Sequence, residues 1–295
     1  MDLEDDAVYD LRNLIGLGFR FKDRKIASAL IKLRGNMNIV EFLDKYNLKI
    51  SKNAFSDWTN LRYGIPLETV LDLLGWETVK KINADLLFSG RASAYACARL
   101  PCKSSVELMY LIGTIIGDGS LRHEKGKTYF ESYFVSFEMK DKEIITYIQS
   151  AFSRIFGFKK PIRNIKRKDG RRIYLLKYSN KVVYYFLNRF FDLGPRKAKS
   201  VGITKHNGMT RTQKLALLLG LYHTDGSFSQ GKLRFYTSSP RLKDDVSTLL
   251  KEIGYGSKEY RYQRGMYDPE YHVEVKRPDR LICELQELEE ILFRN

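Results

Sequence analysis

Cysteine is scarce in this 295-residue chain, at three residues, and Cys97, Cys102 and Cys283 form no CxxC pair. That excludes a disulfide framework and a cysteine zinc finger, and the three are expected to serve as packing residues. The four histidines are as sparse, and His123, His206 and His272 have no metal-ligand spacing, which argues against zinc. Apolar runs are short: none reaches the roughly 18 residues of a membrane-spanning helix. The basic residues are spread through segments with folded patterning and not gathered on one amphipathic helix, so no membrane partner is expected. A basic leader is missing too, because the first ten residues, "MDLEDDAVYD", are acidic. The expected location is intracellular, cytoplasmic or nucleoid-associated. Negative charge is in the minority, 35 Asp and Glu against 51 Lys and Arg, a net +16. A surface that positive attracts polyanions at long range and suits nucleic acid better than a small metabolite. Length and the 43% hydrophobic content allow a sizeable core divided over two or three domains.

Residues 24 to 75 predict four short helices, in "RKIASALIKLRG", "NIVEFLDKY", "SKNAFSDWTNLRYG" and "PLETVLDLLG", each with apolar residues three and four apart. Ile39, Val40, Phe42 and Leu43 anchor one helix; "NLKIS" makes a turn; Ser51 caps a helix exposing Lys52, Asn53, Ser56, Asn60 and Arg62. This is helix-turn-helix spacing, in which the second helix reads a major groove. A small bundle with a solvated polar face fits the same residues. The block resembles phage-repressor-like domains, with Pro66 at a first helical position. The expected division is a helical domain over 1–88, a linker over 89–105 interrupted by Pro101, Ser104 and Ser105, and two repeats over 106–202 and 203–295.

The repeats show in the order of elements. "LMYLIGTIIGDGS" precedes an alternating stretch at 133 to 139, a helix, a basic loop, the strand-like "RIYLLKYS" and a helix ending near Phe191. "LALLLGLYHTDGS" precedes the same order again, about 107 residues later, ending in "DRLICELQELEEILFR". The expected fold class is α+β: a small helical domain, then two pseudo-twofold related αββαββα repeats, each sheet covered by its own helices.

Gly113 and Gly117 lie four apart on one side of a helix, and Gly220 and Thr224 take the equivalent places in the second copy. Packing on these small residues brings Asp118 and Asp225 side by side at the helix C-termini, with Gly119 and Gly226 turning the chain away through a left-handed conformation. Two adjacent carboxylates there repel each other and oppose the helix dipoles. A divalent cation, Mg2+ or another, resolves that conflict, and hard oxygen ligands beside a phosphate-gripping surface describe a phosphodiester hydrolase. His223 is read as a helix-interface or near-site residue and not a ligand, since its counterpart is Ile116.

The segments "LIGTIIGDG" (Leu111 to Gly119) and "LLGLYHTDG" (Leu218 to Gly226) resemble the double motif of the LAGLIDADG homing endonucleases. The resemblance covers roughly residues 105 to 295. It implies a four-stranded antiparallel sheet per repeat, the two sheets forming a DNA-binding saddle, motif helices at the central interface, and a long double-stranded DNA target bound by a single pseudo-symmetric chain acting as a monomer. It implies further that Asp118 and Asp225 are catalytic metal ligands. "GPRKAKSVGI" at 194 to 203 resembles the segment supplying a basic catalytic residue in the intein-type branch, which nominates Lys199, with Lys197 next. The second repeat has no matching segment, which leaves asymmetric catalysis, reliance on Lys276, or weakened or lost cutting; Gln230 is another polar candidate near the centre. A non-cleaving DNA-binding regulator and an RNA-binding splicing cofactor are the competing functions.

The DNA surface is expected at Lys159, Lys160, Arg163, Lys166, Arg167, Lys168, Arg171 and Arg172, a basic hairpin turning at "KDG". The second repeat adds Arg234 and Lys276, with Lys232, Arg261, Arg264 and Arg277 more sparsely placed. The abundant tyrosine and phenylalanine around Tyr129 to Phe137 and Tyr184 to Phe191 are expected to pack sheets on helices and not to stack on bases.

Overall fold

A computed structural model describes residues 9–82, 87–89, 97–101, 103–125, 131–167, 170–195, 199–203, 208–263 and 268–294. They divide into two compact units, Tyr9–Cys102 with Asn180–Phe186, and Lys103–Ser179 with Leu187–Asn295. Of the expected linker, residues 90–96 and Cys102 fall outside the described residues.

In the first unit a 3-10 turn, Leu11–Leu14, precedes β1 (Phe19–Phe21), α1 (Arg24–Arg34), α2 (Ile39–Lys45), α3 (Lys52–Thr59), β2 (Ile65–Pro66), α4 (Leu67–Leu74), α5 (Trp76–Ile82) and β3 (Leu87–Ser89). Local chemistry sets the helix starts. Asp23 accepts from the Lys25 and Ile26 amides, Asn38 and Glu41 form a capping box, and Ser51 accepts from the Ala54 amide at 3.2 Å. Phe42 and Phe55 meet at 5.0 Å between ring centroids, joining α2 to α3 in a core with Leu30 and Trp58. Leu43 is buried as expected, but Val40, in the first turn of α2, is 38% exposed. The seven-residue helix has room for only one buried stripe, and Phe42 and Leu43 take it. Pro66 stands one residue earlier than expected, as the residue preceding α4. The three strands form an antiparallel sheet in the order β2-β1-β3, an addition to the helical reading.

The second unit runs α6 (Val106–Ile116), β4 (Ser120–Lys125), β5 (Glu131–Met139), α7 (Lys142–Phe156), β6 (Arg163–Lys166), β7 (Arg172–Ser179) and α8 (Lys181–Phe191), whose first half belongs to the other unit. The order recurs as α9 (Arg211–Asp225), β8 (Gly226–Ser229), β9 (Lys232–Thr237), α10 (Pro240–Glu252), β10 (Ser257–Tyr262), β11 (Glu270–Val275) and α11 (Pro278–Arg294). Both copies read αββαββα. The two antiparallel sheets have one topology, β4-β5-β7-β6 and β8-β9-β11-β10, the saddle arrangement.

One face of each sheet is covered by helix. In β5, Tyr133, Val135, Phe137 and Met139 are buried; Phe152 of α7 stacks on Tyr178 of β7 at 3.7 Å and meets Phe137 edge-on at 6.4 Å. In the second sheet Leu233, Phe235, Val273 and Val275 are buried, as are Leu242, Val246 and Leu249 of α10. The alternate residues therefore form an outer face: Ser120, Arg122, Phe134, Ser136, Glu138, Lys177 and Arg163 on the first sheet. The expected packing role of the aromatics holds for Tyr133, Phe137, Tyr184, Phe186 and Phe190, which are buried. It fails for cysteine at Cys283, a free thiol exposed on α11, while Cys97 is half-buried and free. An amphipathic helix leaves its outer positions to solvent whatever residue occupies them.

Candidate active site and nucleic-acid interface

The motif helices are built for close approach. From Leu108 to Ile116 every residue of α6 is buried, and so is most of α9 up to Leu221. A Cβ on Gly113 would strike the Leu217 carbonyl and come within 3.1 Å of the Gly220 Cα; one on Gly220 would strike the Tyr110 carbonyl. Thr224 fills the space left at Gly117, its Oγ1 donating to the Gly220 and Leu221 carbonyls at 3.1 and 3.0 Å. The two backbones touch here because glycine has no side chain to hold them apart.

Both motif aspartates emerge at the same end of this helix pair. Asp118 lies in the exposed turn following α6, closed by the Gly119 amide donating to the Thr114 carbonyl at 3.0 Å. Asp225 is the last residue of α9 and half-buried; its Oδ2 would lie 3.2 Å from a Cβ on Gly117, the residue before Asp118. The turns are not left-handed, contrary to expectation: among glycines with positive φ neither Gly119 nor Gly226 occurs, and Gly226 has φ −103°. These positions need glycine for space. A Cβ at Gly119 would sit 2.5 Å from the Ile115 Cα, and one at Gly226 2.5 Å from the Tyr222 Cα, because the chain folds back over the preceding turn.

A cavity of about 450 Å³ opens at these helix ends, lined among others by Gly117, Gly119, Ser120, Asp225, Tyr236 and Glu270. His223 points elsewhere. Its Nδ1 is 2.9 Å from Tyr110 Oη and its Nε2 3.3 Å from Glu289 of α11, so it ties α6 and α9 to the last helix. Burial holds the Tyr110 phenol well above its ordinary pKa, keeping it neutral in that network.

The other nominated residues are spread around this centre. Lys199 Nζ pairs with Asp268 at 2.7 Å, both more than half exposed, two residues before the cavity-lining Glu270. Lys197, Lys168 and Arg264 fall outside the described residues. Gln230 occupies the tip of the β8–β9 hairpin with φ 51°, separated from Asp225 by the length of β8. Lys276 is exposed just past β11, its amide donating to the Gly256 carbonyl. Lys159 and Lys160 lie in the connection from α7, with the Lys160 carbonyl accepting from Gln149 at 2.5 Å. Arg163 and Lys166 are on the fully exposed strand β6, Arg171 and Arg172 at the start of β7, and Arg167 pairs with Glu138 at 2.7 Å. Lys166 and Arg172 stand directly opposite each other, a cross-strand pair of like charge. Arg234 is on the outer face of the second sheet. Two outer-face cations of the first sheet, Arg122 and Lys177, escaped the sequence reading; Lys177 Nζ sits 3.5 Å over the Phe134 ring. For Lys177 the signal was the period of two in "RIYLLKYS", usable only once the buried face was known; Arg122 is turned outward by its register opposite Phe134.

Paired glycine-packed helices between two sheets of identical topology, each ending on an aspartate, define a pseudo-symmetric double-motif fold. The chain belongs to the LAGLIDADG-like domain family, whose sequence profile it matches over residues 105–190 and 212–292. It is 26% identical over 149 residues to homing endonuclease I-DmoI of Desulfurococcus mucosus, covering 49% of this chain and 69% of that one. It is 28% identical over 162 residues, 55% of its length, to the B subunit of the A-type ATP synthase of Methanopyrus kandleri, and spans only 14% of that protein. The crystal structure of I-DmoI in complex with DNA and Mn superposes with a TM-score of 0.46 at 23% identity, covering 60% of this chain and 94% of that one.

Proposed function

We propose that the chain is a site-specific double-stranded DNA endonuclease that hydrolyses phosphodiester bonds with a divalent cation held by Asp118 and Asp225. The observation carrying this reading is the delivery of two aspartates from two repeats to one end of a glycine-packed helix pair, between two outer sheet faces. Family membership supports a DNA substrate, and the net charge of +16 supports a polyanionic one.

The donor set fits a hard cation such as Mg2+. The carboxylates of Asp118 and Asp225 are hard oxygen donors of the kind this cation takes, and among the described residues no group of three or more His, Cys, Asp or Glu is placed to hold a metal. A bound divalent cation would supply Lewis acidity at a phosphoryl oxygen and make water a stronger acid. Asp118, exposed, and Asp225, half-buried in the cavity wall, fix where that charge sits. Lys199, paired with Asp268, is the basic residue proposed to assist. The hairpin from Lys159 to Arg172, with Arg234 and Lys276, grips the duplex. Residues 1–88 supply further contacts.

A non-cleaving regulator is the second reading, favoured by the α2–α3 pair: α3 exposes Lys52 and Asn53, with Ser56 half-buried, and the turn after it exposes Asn60 and Arg62. Incubating the chain with a pooled duplex library, with magnesium or with chelator, and sequencing bound molecules and new ends separates the two. Discrete magnesium-dependent ends, absent with Asp118→Asn and with Asp225→Asn while binding persists, are expected. A binding motif without ends, bound equally by both variants, would establish the regulator.

A further inference from the structure

The two outer sheet faces are not chemical copies of each other. Thr237 and Met139 each stand two residues before a helix cap, Ser239 and Asp141, and pair with Tyr271 and Tyr174. That superposes Arg234 on Ser136 and Glu274 on Lys177, and in both sheets these are directly opposed cross-strand pairs. At this site the second sheet presents an arginine facing a glutamate, whereas the first presents a serine facing a lysine drawn over Phe134.

The arginine is held in one orientation. Glu274 Oε2 accepts from Arg234 Nε and from Nη2, both at 2.8 Å. Leu233 and Phe235 on either side are buried, so the side chain leaves β9 on the face away from the helices. It is 29% exposed and its glutamate 15%, which makes the pair a feature of the sheet surface and not a loose rim contact. Side-on engagement uses the Nε hydrogen and one on Nη2. The Tyr236 phenol also hydrogen-bonds this guanidinium. Of its five hydrogens, an end-on pair, one each on Nη1 and Nη2, has the parallel geometry that matches guanine O6 and N7 in a major groove. Lysine over an aromatic ring offers a point charge without a fork.

We propose that Arg234, positioned by Glu274, reads one guanine in the half-site under the second sheet, and that the symmetry-related position under the first sheet carries no such requirement. The inference rests on the DNA-binding reading and not on cleavage, so it is tested in chelator. The full chain and the variants Arg234→Ala, Arg234→Lys and Glu274→Gln are each used to select from a randomised duplex library, and base preferences are read position by position.

With the unsubstituted chain, one position in one half-site should favour guanine. Both arginine variants should lose that preference by roughly five- to hundredfold, the worth of one bidentate contact, with other positions unchanged. Glu274→Gln keeps the arginine but weakens its anchor, and should reduce the same preference several-fold. Because Arg234→Lys and Glu274→Gln keep size and most packing, they decide the matter should Arg234→Ala fail to fold. A motif indifferent to all three variants overturns the assignment, as does an equal loss of affinity on every sequence, which marks a phosphate contact. Failure of the unsubstituted chain to enrich any duplex overturns the DNA-binding reading itself, and this assignment with it.

Discussion

Three glycines set the positions of both motif aspartates. Gly113 and Gly220 let α6 and α9 meet backbone to backbone, and Gly117 makes room for Thr224 beside Asp225. The neighbours of Gly113 are the Leu217 carbonyl and the Gly220 Cα, backbone atoms that cannot rotate aside. Gly113→Ala should therefore lower stability by roughly 1–3 kcal/mol, the usual cost of overpacking a tight interface. Gly194→Ala, where a Cβ meets only Asn188 Nδ2 at 3.8 Å, should be neutral. Urea unfolding of the two variants beside the parent checks this; equal midpoints would show that the helices slide apart at no cost. The spacing of Gly113 and Gly117 was legible in sequence because four residues on a helix always share a side. The handedness of the exit turns was not, because glycine serves for steric room as readily as for positive φ.

At the scale of elements, β6 and the start of β7 stand out. Arg163, Lys166, Arg171 and Arg172 are exposed, and Lys166 faces Arg172 across the ladder. Like charges directly opposite destabilise a strand pair, so a bound polyanion relieves a repulsion already built into the hairpin. Replacing these four residues with glutamine should weaken duplex binding and flatten its dependence on salt, with a change in log–log slope of about 0.9 for each phosphate that is no longer neutralised. Fluorescence anisotropy across a salt series measures both; an unchanged slope would remove the hairpin from the DNA surface. Helices were readable as apolar stripes, with Ser51 as the cap before α3. The sheet made of β1, β2 and β3 was not, since strands of two or three residues carry no period to detect.

For the chain as a whole, both halves of the pseudo-symmetric unit are present in one polypeptide, and α6 finds in α9 the partner that a single-motif chain would need from a second copy. We therefore expect one chain per duplex. Sedimentation of the protein alone and with a duplex carrying its selected motif should give the mass of one chain and of a one-to-one complex. A dimer on one duplex would mean that the internal pair does not complete the site. Net positive charge distributed over both units should make association with a duplex fast at low ionic strength and sensitive to salt.

What the sequence by itself determined is local or periodic: the order αββαββα in two copies, the helix caps, the aspartate closing each motif and the sign of the surface charge. Each is written in neighbouring residues or in a repeating interval, and needs no knowledge of what lies across the fold. What only the tertiary structure decided depends on partners far apart in the chain. Register across the sheets turned Arg122, Phe134 and Lys177 outward together and set Arg234 against Glu274. Helix packing turned His223 toward Tyr110 and Glu289 while Asp225 came to the cavity with Glu270. A strand's period of two separates its faces but does not say which is covered, and that choice is made by the helices that bury the other side.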